Sequence, residues 1–435
     1  MTLQHLRQSQ TKQPVSAEAQ AALVAKHPCF SKEGHRYARM HLPVAPACNI
    51  QCNYCNRKFD CSNETRPGVV SKLLSPAMAA RRFEKVKQHV PETQVVGIAG
   101  PGDPLANPKA TLASLKAISK IDEDVHLCVS TNGLALVDQL DALLAAGVKH
   151  LTITINCIDA DIGQKIYPWV YFNQQRLRGR KAAQTLIDRQ LLGLEAAIKA
   201  GMLVKVNTVL IPGINDFHID SLAKELGRFG AFIHNIMPLI SDPAHGTYFG
   251  LMGQREPSKR ELDLARQSAG QSMAQMTHCQ QCRADAVGKL GQDIDLAAIE
   301  QDNAVADSTL RVAVATSSNQ LIDQHFGHAT QFLSYLVSAE SIEQQRSIDW
   351  QQYCSGSDQC ADDKQQDLNQ LSQFNTVLCS RIGHTPLQEL SDLGVEVNTK
   401  YALREIKEAL LEIQQSLINQ VKPAKRTVCN AGECS

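Results

Sequence analysis

The sequence predicts an α/β protein, namely a partial (β/α)6 barrel followed by a smaller α/β domain. From residue 41 onward, short and almost continuously apolar runs alternate with amphipathic stretches, which is typical of parallel strands covered by helices. The alternation occurs six times rather than eight, which favours a partial barrel. A second, shorter alternation starts at residue 311, and 435 residues are too many for one ordinary globular core.

Hydrophobic periodicity gives bounds for the elements of both domains. The predicted barrel strands are His41–Ala45, Val95–Gly100, His126–Ser130, Leu151–Ile155, Val204–Leu210 and Phe232–Leu239. The predicted barrel helices are Pro76–His89, Pro108–Ser119, Leu136–Ala146, Ala182–Ala200 and Asp220–Phe229. The second domain has predicted strands Arg311–Thr316, Gln331–Val337, Thr376–Cys379 and Val395–Asn398, and a final helix Tyr401–Ile418.

Changes in composition divide the chain into five segments. A polar lead-in precedes the barrel domain, and a tail containing Cys429 and Cys434 follows the second domain. Between the two domains, an acidic stretch with little periodicity is typical of a linker. The predicted segments are 1–28 (lead-in), 29–290 (barrel), 291–308 (linker), 309–420 (second domain) and 421–435 (tail).

Charge and hydropathy argue against nucleic acid and membrane partners. Acidic and basic side chains balance at 44 each, so no long-range field is expected. We find no run of 18 apolar residues, and the polar N-terminus lacks the apolar core of a signal peptide. We therefore expect a cytoplasmic protein. In such a reducing compartment its 14 cysteines more often bind metal than form disulfides.

Cys48, Cys52 and Cys55 form a Cys-x3-Cys-x2-Cys triplet directly after the first predicted strand. Three thiolates can ligate three irons of a cubane and leave the fourth iron open to the amino and carboxylate groups of S-adenosylmethionine (SAM). An electron passed to SAM then cleaves its S–C5′ bond. The alternative is a zinc knuckle, but structural zinc usually takes four ligands in Cys-x2-Cys pairs. The triplet therefore predicts a radical SAM enzyme with a site-differentiated [4Fe-4S] cluster.

Polar groups and glycines follow several predicted strands, where the functional groups of such barrels collect. A Gly-Pro-Gly-Asp segment follows the second strand, at the place where radical SAM enzymes bind the methionyl ammonium with a Gly-Gly-Glu-type segment. Each residue can instead be an ordinary turn or strand residue, and Tyr54 can pack either on adenine or within its loop. The candidate SAM-binding residues are Tyr54, Gly100, Gly102, Asp103, Ser130, Asn132, Thr152 and Asn156.

The barrel domain has more sulfur than one cluster needs. Five further cysteines and one histidine are enough for two clusters with three protein ligands each. Two alternatives to cluster ligation remain. Cys128 and Cys157 can be small core residues, and the Cys279-x2-Cys282 pair can be half of a zinc site. The candidate ligands are Cys29, His35, Cys61, Cys128, Cys279 and Cys282.

Three segments give this pattern a more specific meaning. They are His27-Pro-Cys29, the stretch from Ala47 through Cys61 to Gly68, and the stretch from Cys279 to Gly288. Together they resemble the NifB family of nitrogenase cofactor biosynthesis proteins over roughly residues 27–290. The second domain, with Ala313-Val-Ala-Thr316 and Asp323-Gln-His-Phe-Gly-His328, resembles the NifX/NafY-type cofactor-binding module, which has a ribonuclease-H-like α/β fold.

The resemblance implies a radical SAM cofactor maturase of the lyase or transferase type. Two [4Fe-4S] clusters would be bound as precursors in the barrel mouth, in addition to the SAM-binding cluster. One SAM would donate a methyl group to a cluster sulfide, and a second would yield the 5′-deoxyadenosyl radical that abstracts hydrogen from that methyl group. The clusters would then fuse into an eight-iron, carbide-centred precursor (NifB-co) of the nitrogenase iron-molybdenum cofactor.

The resemblance also implies residue roles and partners. The six candidate ligands above would hold the two precursor clusters in a division that stays open, Glu64 would be a transient ligand or proton acceptor, and His325 would touch a bound cluster or stabilise a turn. The partners would be iron–sulfur cluster donors, nitrogenase cofactor carrier or scaffold proteins, and an electron donor such as ferredoxin or flavodoxin. Two alternatives remain: a radical SAM peptide or small-molecule maturase with auxiliary clusters, and a non-catalytic cluster carrier.

Overall fold

The computed structural model describes two compact units, Met1–Ile294 and Asp295–Ser435. His35, Glu64, Cys429, Cys434 and most of the predicted linker lie outside the described residues. The described residues are 21, 23–25, 27–31, 36–63, 70–276, 279, 282–294, 296, 309–353, 368–393 and 395–421.

Six parallel strands in chain order form the main sheet of the first unit, which confirms the predicted partial barrel. Because all six run in one direction, their carboxyl ends lie at one edge, where the cysteine triplet loop begins. The barrel strands are Ala38–Ala45, Thr93–Pro101, His126–Thr131, His150–Thr154, Leu203–Leu210 and Ile233–Pro238.

Two short strands extend this sheet beyond the first barrel strand and were not predicted. Val287–Lys289 pairs antiparallel with Ala38–Ala45, and Gln292–Asp293 pairs antiparallel with Val287–Lys289. Strands of three and two residues are too short for a periodicity signal. This hairpin places the segment that follows Cys282 beside the first barrel strand. A separate small sheet consists of Ile50–Gln51, Trp169–Phe172 and Gln175–Leu177.

The helices of the first unit have the local signals expected at their ends. Pro76–His89 has the predicted bounds because the Ser75 side chain caps its amino end and Pro76 occupies the first turn. Its Ala79, Phe83 and Val86 are buried. The helices are Pro76–His89, Pro108–Ile121, Leu136–Ala145, Ala160–Ile166, Gly179–Lys199, Ile219–Phe229, Tyr248–Leu251 and Lys259–Ala269.

The second unit has a five-stranded mixed sheet with the ribonuclease-H-like arrangement that was predicted. The first strand lies at the centre, with an antiparallel meander on one side and two parallel strands on the other. Ile342–Asp349 was missed because most of its side chains are exposed, so it lacks the apolar alternation of a core strand. The elements are strands Leu310–Ala315, Gln331–Val337, Ile342–Asp349, Thr376–Leu378 and Glu396–Asn398, and helices His384–Asp392 and Ile406–Val421.

None of the described helices in either unit is both long and apolar enough to cross a membrane.

Candidate active site

Backbone and amide hydrogen bonds shape the loop that carries the cysteine triplet. The Gln51 side chain donates to the carbonyl oxygens of Cys52 (3.0 Å) and Cys55 (2.8 Å). Ile50 pairs with Val170 in the small sheet, so the loop is fastened to a neighbouring hairpin. Cys52 is buried, whereas Cys48 and Cys55 are partly exposed. The loop thus presents its thiols from a fixed backbone.

The Gly-Pro-Gly-Asp segment holds the start of this loop. The Gly102 N–H donates to the Ala45 carbonyl (2.6 Å), and the Asp103 N–H donates to the Ala47 carbonyl (2.7 Å). A Cβ atom on Gly102 would overlap the carbonyl group of Ala47. Only glycine therefore allows this approach.

We expect Gly102→Ala to displace the residues that lead into Cys48. The new methyl group must push backbone away, so we expect a loss of about 3 kcal/mol in the free energy of unfolding. We also expect poor loading of the triplet cluster. Denaturant unfolding and iron content measure both effects. Gly383→Ala is the control, because a Cβ atom there would lie at an ordinary contact distance of 3.6 Å from Pro386. Equal losses of stability and iron in the two variants would contradict the proposed close approach of Gly102 to Ala47.

The Asp103 carboxylate is directed at donors of its own chain. It accepts from the backbone N–H groups of Asn132 (2.6 Å) and Leu105 (2.9 Å) and from the Thr131 hydroxyl (3.0 Å). Burial raises the pKa of Asp103, and these donors partly offset the rise. We therefore propose that Asp103 joins the second and third strand ends, rather than binding the methionyl group of SAM.

Three other candidate SAM-binding residues meet near the triplet. Asn132 Nδ2 donates to Asn49 Oδ1 (2.7 Å) and lies 3.6 Å from Cys48 Sγ. The Tyr54 hydroxyl donates to Asn63 Oδ1 (2.7 Å) and accepts from Asn156 Nδ2 (2.7 Å). Tyr54 is buried, so its packing within the loop is the arrangement present in this structure. We propose that Tyr54 and Asn156 position the triplet loop against the fourth strand.

The triplet thiols lie close together in a poorly hydrated site. Burial raises the pKa of Cys48 to about 12, and it raises the pKa of Cys52 well above its usual value. The neighbouring sulfurs add to the shift of Cys52, while the guanidinium of Arg57 opposes it. Without a cation these thiols stay protonated, and a bound metal cluster would supply the positive charge that favours thiolates. The residues present therefore fit an iron–sulfur cluster.

Four of the predicted precursor ligands line one cavity inside the barrel: Cys29, Cys128, Cys279 and Cys282. They come from the stretch before the first strand, the third strand and the segment after the last helix of this unit, up to 253 residues apart in sequence. Ser130 and Thr152, predicted to bind SAM, line the same cavity. The cavity extends to the amino-terminal half of the strands, since Cys128 pairs with His150, the first residue of the next strand. These four cysteines line the lumen, and the expectation that the precursor clusters lie in the barrel mouth stays a prediction.

His41 is a cavity residue that the sequence interpretation did not count among the ligands. Its Nδ1 lies 3.0 Å from the Arg283 carbonyl oxygen, which can only accept, so Nδ1 carries the proton. A Cβ on Gly97 would lie 3.4 Å from His41 Nε2 and 3.9 Å from Cys128 Cβ. Histidine ligands usually donate their other N–H to a carbonyl in this way. His41 therefore fits a ligand beside Cys128.

Cys61 lies apart from the cavity lining and close to the triplet. Burial raises its pKa well above the usual value, and the sulfurs of Cys55 and Cys48 contribute to the shift. A Cβ on Gly100 would lie 3.9 Å from Cys61 Cβ and 3.5 Å from Ala284 Cβ. Gly100 thus lies between Cys61 and the segment that follows Cys282.

Hydrogen bonds direct donors at the paired cysteines Cys279 and Cys282. Asn235 Nδ2 donates to Cys279 Sγ (3.3 Å), and an Arg39 guanidinium nitrogen donates to Cys282 Sγ (3.2 Å). The same Arg39 nitrogen forms an ion pair with Asp293 (2.6 Å), which lies in the closing hairpin formed by strands Val287–Lys289 and Gln292–Asp293. Burial still raises the pKa of Cys282, although Arg39 opposes the shift. N–H donors of this kind stabilise a thiolate.

The remaining sequence candidates separate into clear cases. Cys157 is buried in an apolar core that also contains Cys52 and Tyr54. In the second unit, His325 Nδ1 accepts from the Gly327 N–H (3.0 Å) and so stabilises a turn. Within the part of the chain that the structure describes, no three His, Cys, Asp or Glu side chains form a group that could hold a single metal ion.

Comparisons with known proteins show the family of the chain. Residues 42–226 match the radical SAM superfamily, and residues 308–416 match the family described as dinitrogenase iron-molybdenum cofactor. The FeMo cofactor biosynthesis protein NifB of Klebsiella pneumoniae is 47% identical over 421 residues, covering 89% of each chain. The chain belongs to the NifB family.

Other NifB proteins are similar over the same extent. NifB of Azotobacter vinelandii is 42% identical over 450 residues, covering 91% of this chain and 89% of that one. NifB of Rhodobacter capsulatus is 42% identical over 440 residues, covering 92% and 97%. A crystal structure of Streptococcus suis SuiB bound to S-adenosylmethionine is only weakly similar. Its TM-score is 0.34 at 14% identity, covering 45% of this chain and 39% of that chain. The predicted resemblance to the NifB family is confirmed.

Proposed function

We propose that this chain is a radical SAM enzyme of FeMo cofactor biosynthesis that fuses two [4Fe-4S] clusters around a carbon atom derived from SAM. The single observation that carries the proposal is the lumen cavity, where cysteines from distant parts of the chain meet beside His41. Val95, Ile98 and Met276 also line the cavity, and apolar residues of this kind suit an organic substrate as well. The four thiols of the lining favour iron–sulfur cargo, because soft sulfur ligands suit such clusters.

The contacts favour a division of the ligands between the two substrate clusters. Cys29, His41 and Cys128 form one proposed set, because Gly97 brings His41 and Cys128 together and Cys29 lines the same cavity. Cys61, Cys279 and Cys282 form the other, because Gly100 lies between Cys61 and the chain just after Cys282. This division replaces His35, which lies outside the described residues, with His41. Glu64 also lies there and stays a proposal from sequence.

The residues of the mouth would bind and orient SAM above this cargo. The triplet would hold the resident [4Fe-4S] cluster, which, when bound, supplies the electron that cleaves SAM. Asn132 lies beside Cys48 Sγ and would orient that thiolate. Asp103 would hold Asn132 in place by accepting a hydrogen bond from its backbone N–H. One SAM would transfer its methyl group to a sulfide of a substrate cluster and leave as S-adenosylhomocysteine, and the radical from a second SAM would take one hydrogen atom from that methyl group to give 5′-deoxyadenosine. The two remaining hydrogens would leave as protons while the clusters fuse into the eight-iron, carbide-centred product.

The second unit would handle the cofactor after synthesis, in line with its match to the dinitrogenase iron-molybdenum cofactor family. We propose that it hands the product to nitrogenase cofactor carrier or scaffold proteins. Iron–sulfur cluster donors would supply the substrate clusters, and a ferredoxin or flavodoxin would supply electrons. We expect these exchanges to take place in the cytoplasm.

A product assay separates this proposal from its two alternatives. We expect the anaerobically reconstituted chain, given SAM and a reductant, to form both 5′-deoxyadenosine and S-adenosylhomocysteine without any organic substrate. A non-catalytic carrier would form neither compound. A peptide or small-molecule maturase would require its organic substrate before turnover and would build no eight-iron product.

A further inference from the structure

His27 is a buried polar group of the lumen cavity that the ligand sets do not use. Its side chain lines the cavity together with Cys29, and it is 2% exposed. Its ring packs against His150, with ring centroids 4.4 Å apart, and edge-on against Phe30 at 4.7 Å. These contacts fix the orientation of the imidazole.

The hydrogen bonds of this ring define which nitrogen carries the proton. The Cys29 N–H donates to His27 Nδ1 (3.2 Å), so Nδ1 presents a lone pair. In the neutral ring the proton therefore lies on Nε2. Nε2 is buried and has no hydrogen-bond partner among the described residues. Native structures rarely leave a buried donor without an acceptor, because its lost hydrogen bond with water is not replaced.

We propose that His27 is a positioning residue that donates its Nε2–H to a sulfide of the substrate cluster held by Cys29. This inference rests on the proposed function, because it requires an iron–sulfur cluster in the lumen cavity. The arrangement excludes direct ligation by Nε2, since that atom would first have to lose its proton while Nδ1 already accepts. His27 thus differs from His41, whose protonated nitrogen points to a carbonyl.

Hydrogen bonds to cluster sulfurs raise the reduction potential, because the added electron increases the negative charge on sulfur. We expect His27→Leu to shift the potential of one substrate cluster to a more negative value. We also expect iron release to a chelator to become roughly three- to tenfold faster. Glutamine can place an amide N–H near the Nε2 position, so His27→Gln should restore most of both properties, whereas the shorter His27→Asn should not.

The measurement uses the full chain with Cys48, Cys52 and Cys55 all changed to alanine, so that only substrate clusters contribute. Potentiometric EPR gives the reduction potentials, and iron release is followed with a colorimetric chelator. His234→Leu is the matched control, because it removes another buried imidazole of the same unit that does not line the cavity. We expect it to leave the cluster potential unchanged.

Two results would overturn the inference, and they differ from failure of the proposed function. If clusters are present but His27→Leu leaves their potentials unchanged, or His27→Gln behaves as His27→Asn does, the proposed hydrogen bond does not exist. If the variants fold poorly, the comparison of His27→Gln with His27→Asn still decides, because both carry the same amide group. If the protein with His27 intact binds no cluster at all, the proposed function is wrong and the inference falls with it.

Discussion

Replacing any one of Cys48, Cys52 or Cys55 by alanine is expected to abolish formation of 5′-deoxyadenosine, with a loss of at least about a thousandfold. Each thiolate would hold one iron of the resident cluster, and a cubane with two protein ligands is readily lost. The three thiols are close enough for their charges to interact. Anaerobic assays with SAM and reductant, followed by chromatography of the nucleoside products, measure the effect.

Cys157→Ala is the matched control for the triplet. Cys157 is 1% exposed in the same unit and packs in the apolar core, and burial raises its pKa to about 12. We expect this variant to lose about 1 kcal/mol of stability and to keep SAM cleavage. Equal loss of cleavage in Cys157→Ala and Cys52→Ala would mean that the triplet acts through packing and not through ligation.

Replacing Cys279 by alanine is expected to remove one substrate cluster while SAM cleavage continues. A chain with three [4Fe-4S] clusters holds about twelve irons, so the variant should retain about eight. The proposed product needs both substrate clusters, so we expect no detectable eight-iron product. Iron content and EPR spectra, recorded before and after SAM is added, measure the loss.

Comparison with the triplet variants makes this result specific. The Cys279 variant should lose a SAM-insensitive signal, whereas the Cys48 variant should lose the signal that SAM perturbs. Unchanged iron loading in Cys279→Ala would remove the Cys279/Cys282 pair from the ligand set. Loss of all clusters in that variant would instead indicate a general folding role for the segment after residue 276.

The barrel could be predicted because its strands are apolar on both faces and its helices have local end signals. The bounds of Pro76–His89 follow from Ser75, Pro76 and the basic residues of the last turn. The closing hairpin could not be predicted, because pairing of Val287–Lys289 with the first strand depends on residues almost 250 positions apart. No local pattern encodes such a contact.

The sequence indicated the residue types of the candidate site, but not how its side chains meet. The cysteines of the lumen cavity were singled out by their number and motifs, and His41 joins them there. The predicted role of His35, which lies outside the described residues, stays a prediction. Alternation within the first strand puts His41 on the face opposite Leu42, and a histidine on a buried strand is a signal that could have been used. Sequence does not reveal that the oxygens of Asp103 accept from Asn132 and Thr131, and its role in binding SAM stays a prediction.

The proposed function requires that a carbon atom from SAM enters a cluster assembled in the lumen cavity. The most direct measurement supplies SAM labelled with 13C in its methyl group and examines the extracted eight-iron product by pulsed EPR. Our account predicts a 13C nucleus strongly coupled to the cluster spin, present with the intact chain and absent with Cys279→Ala. An iron–sulfur product without 13C coupling, with all label recovered in small molecules, would contradict it.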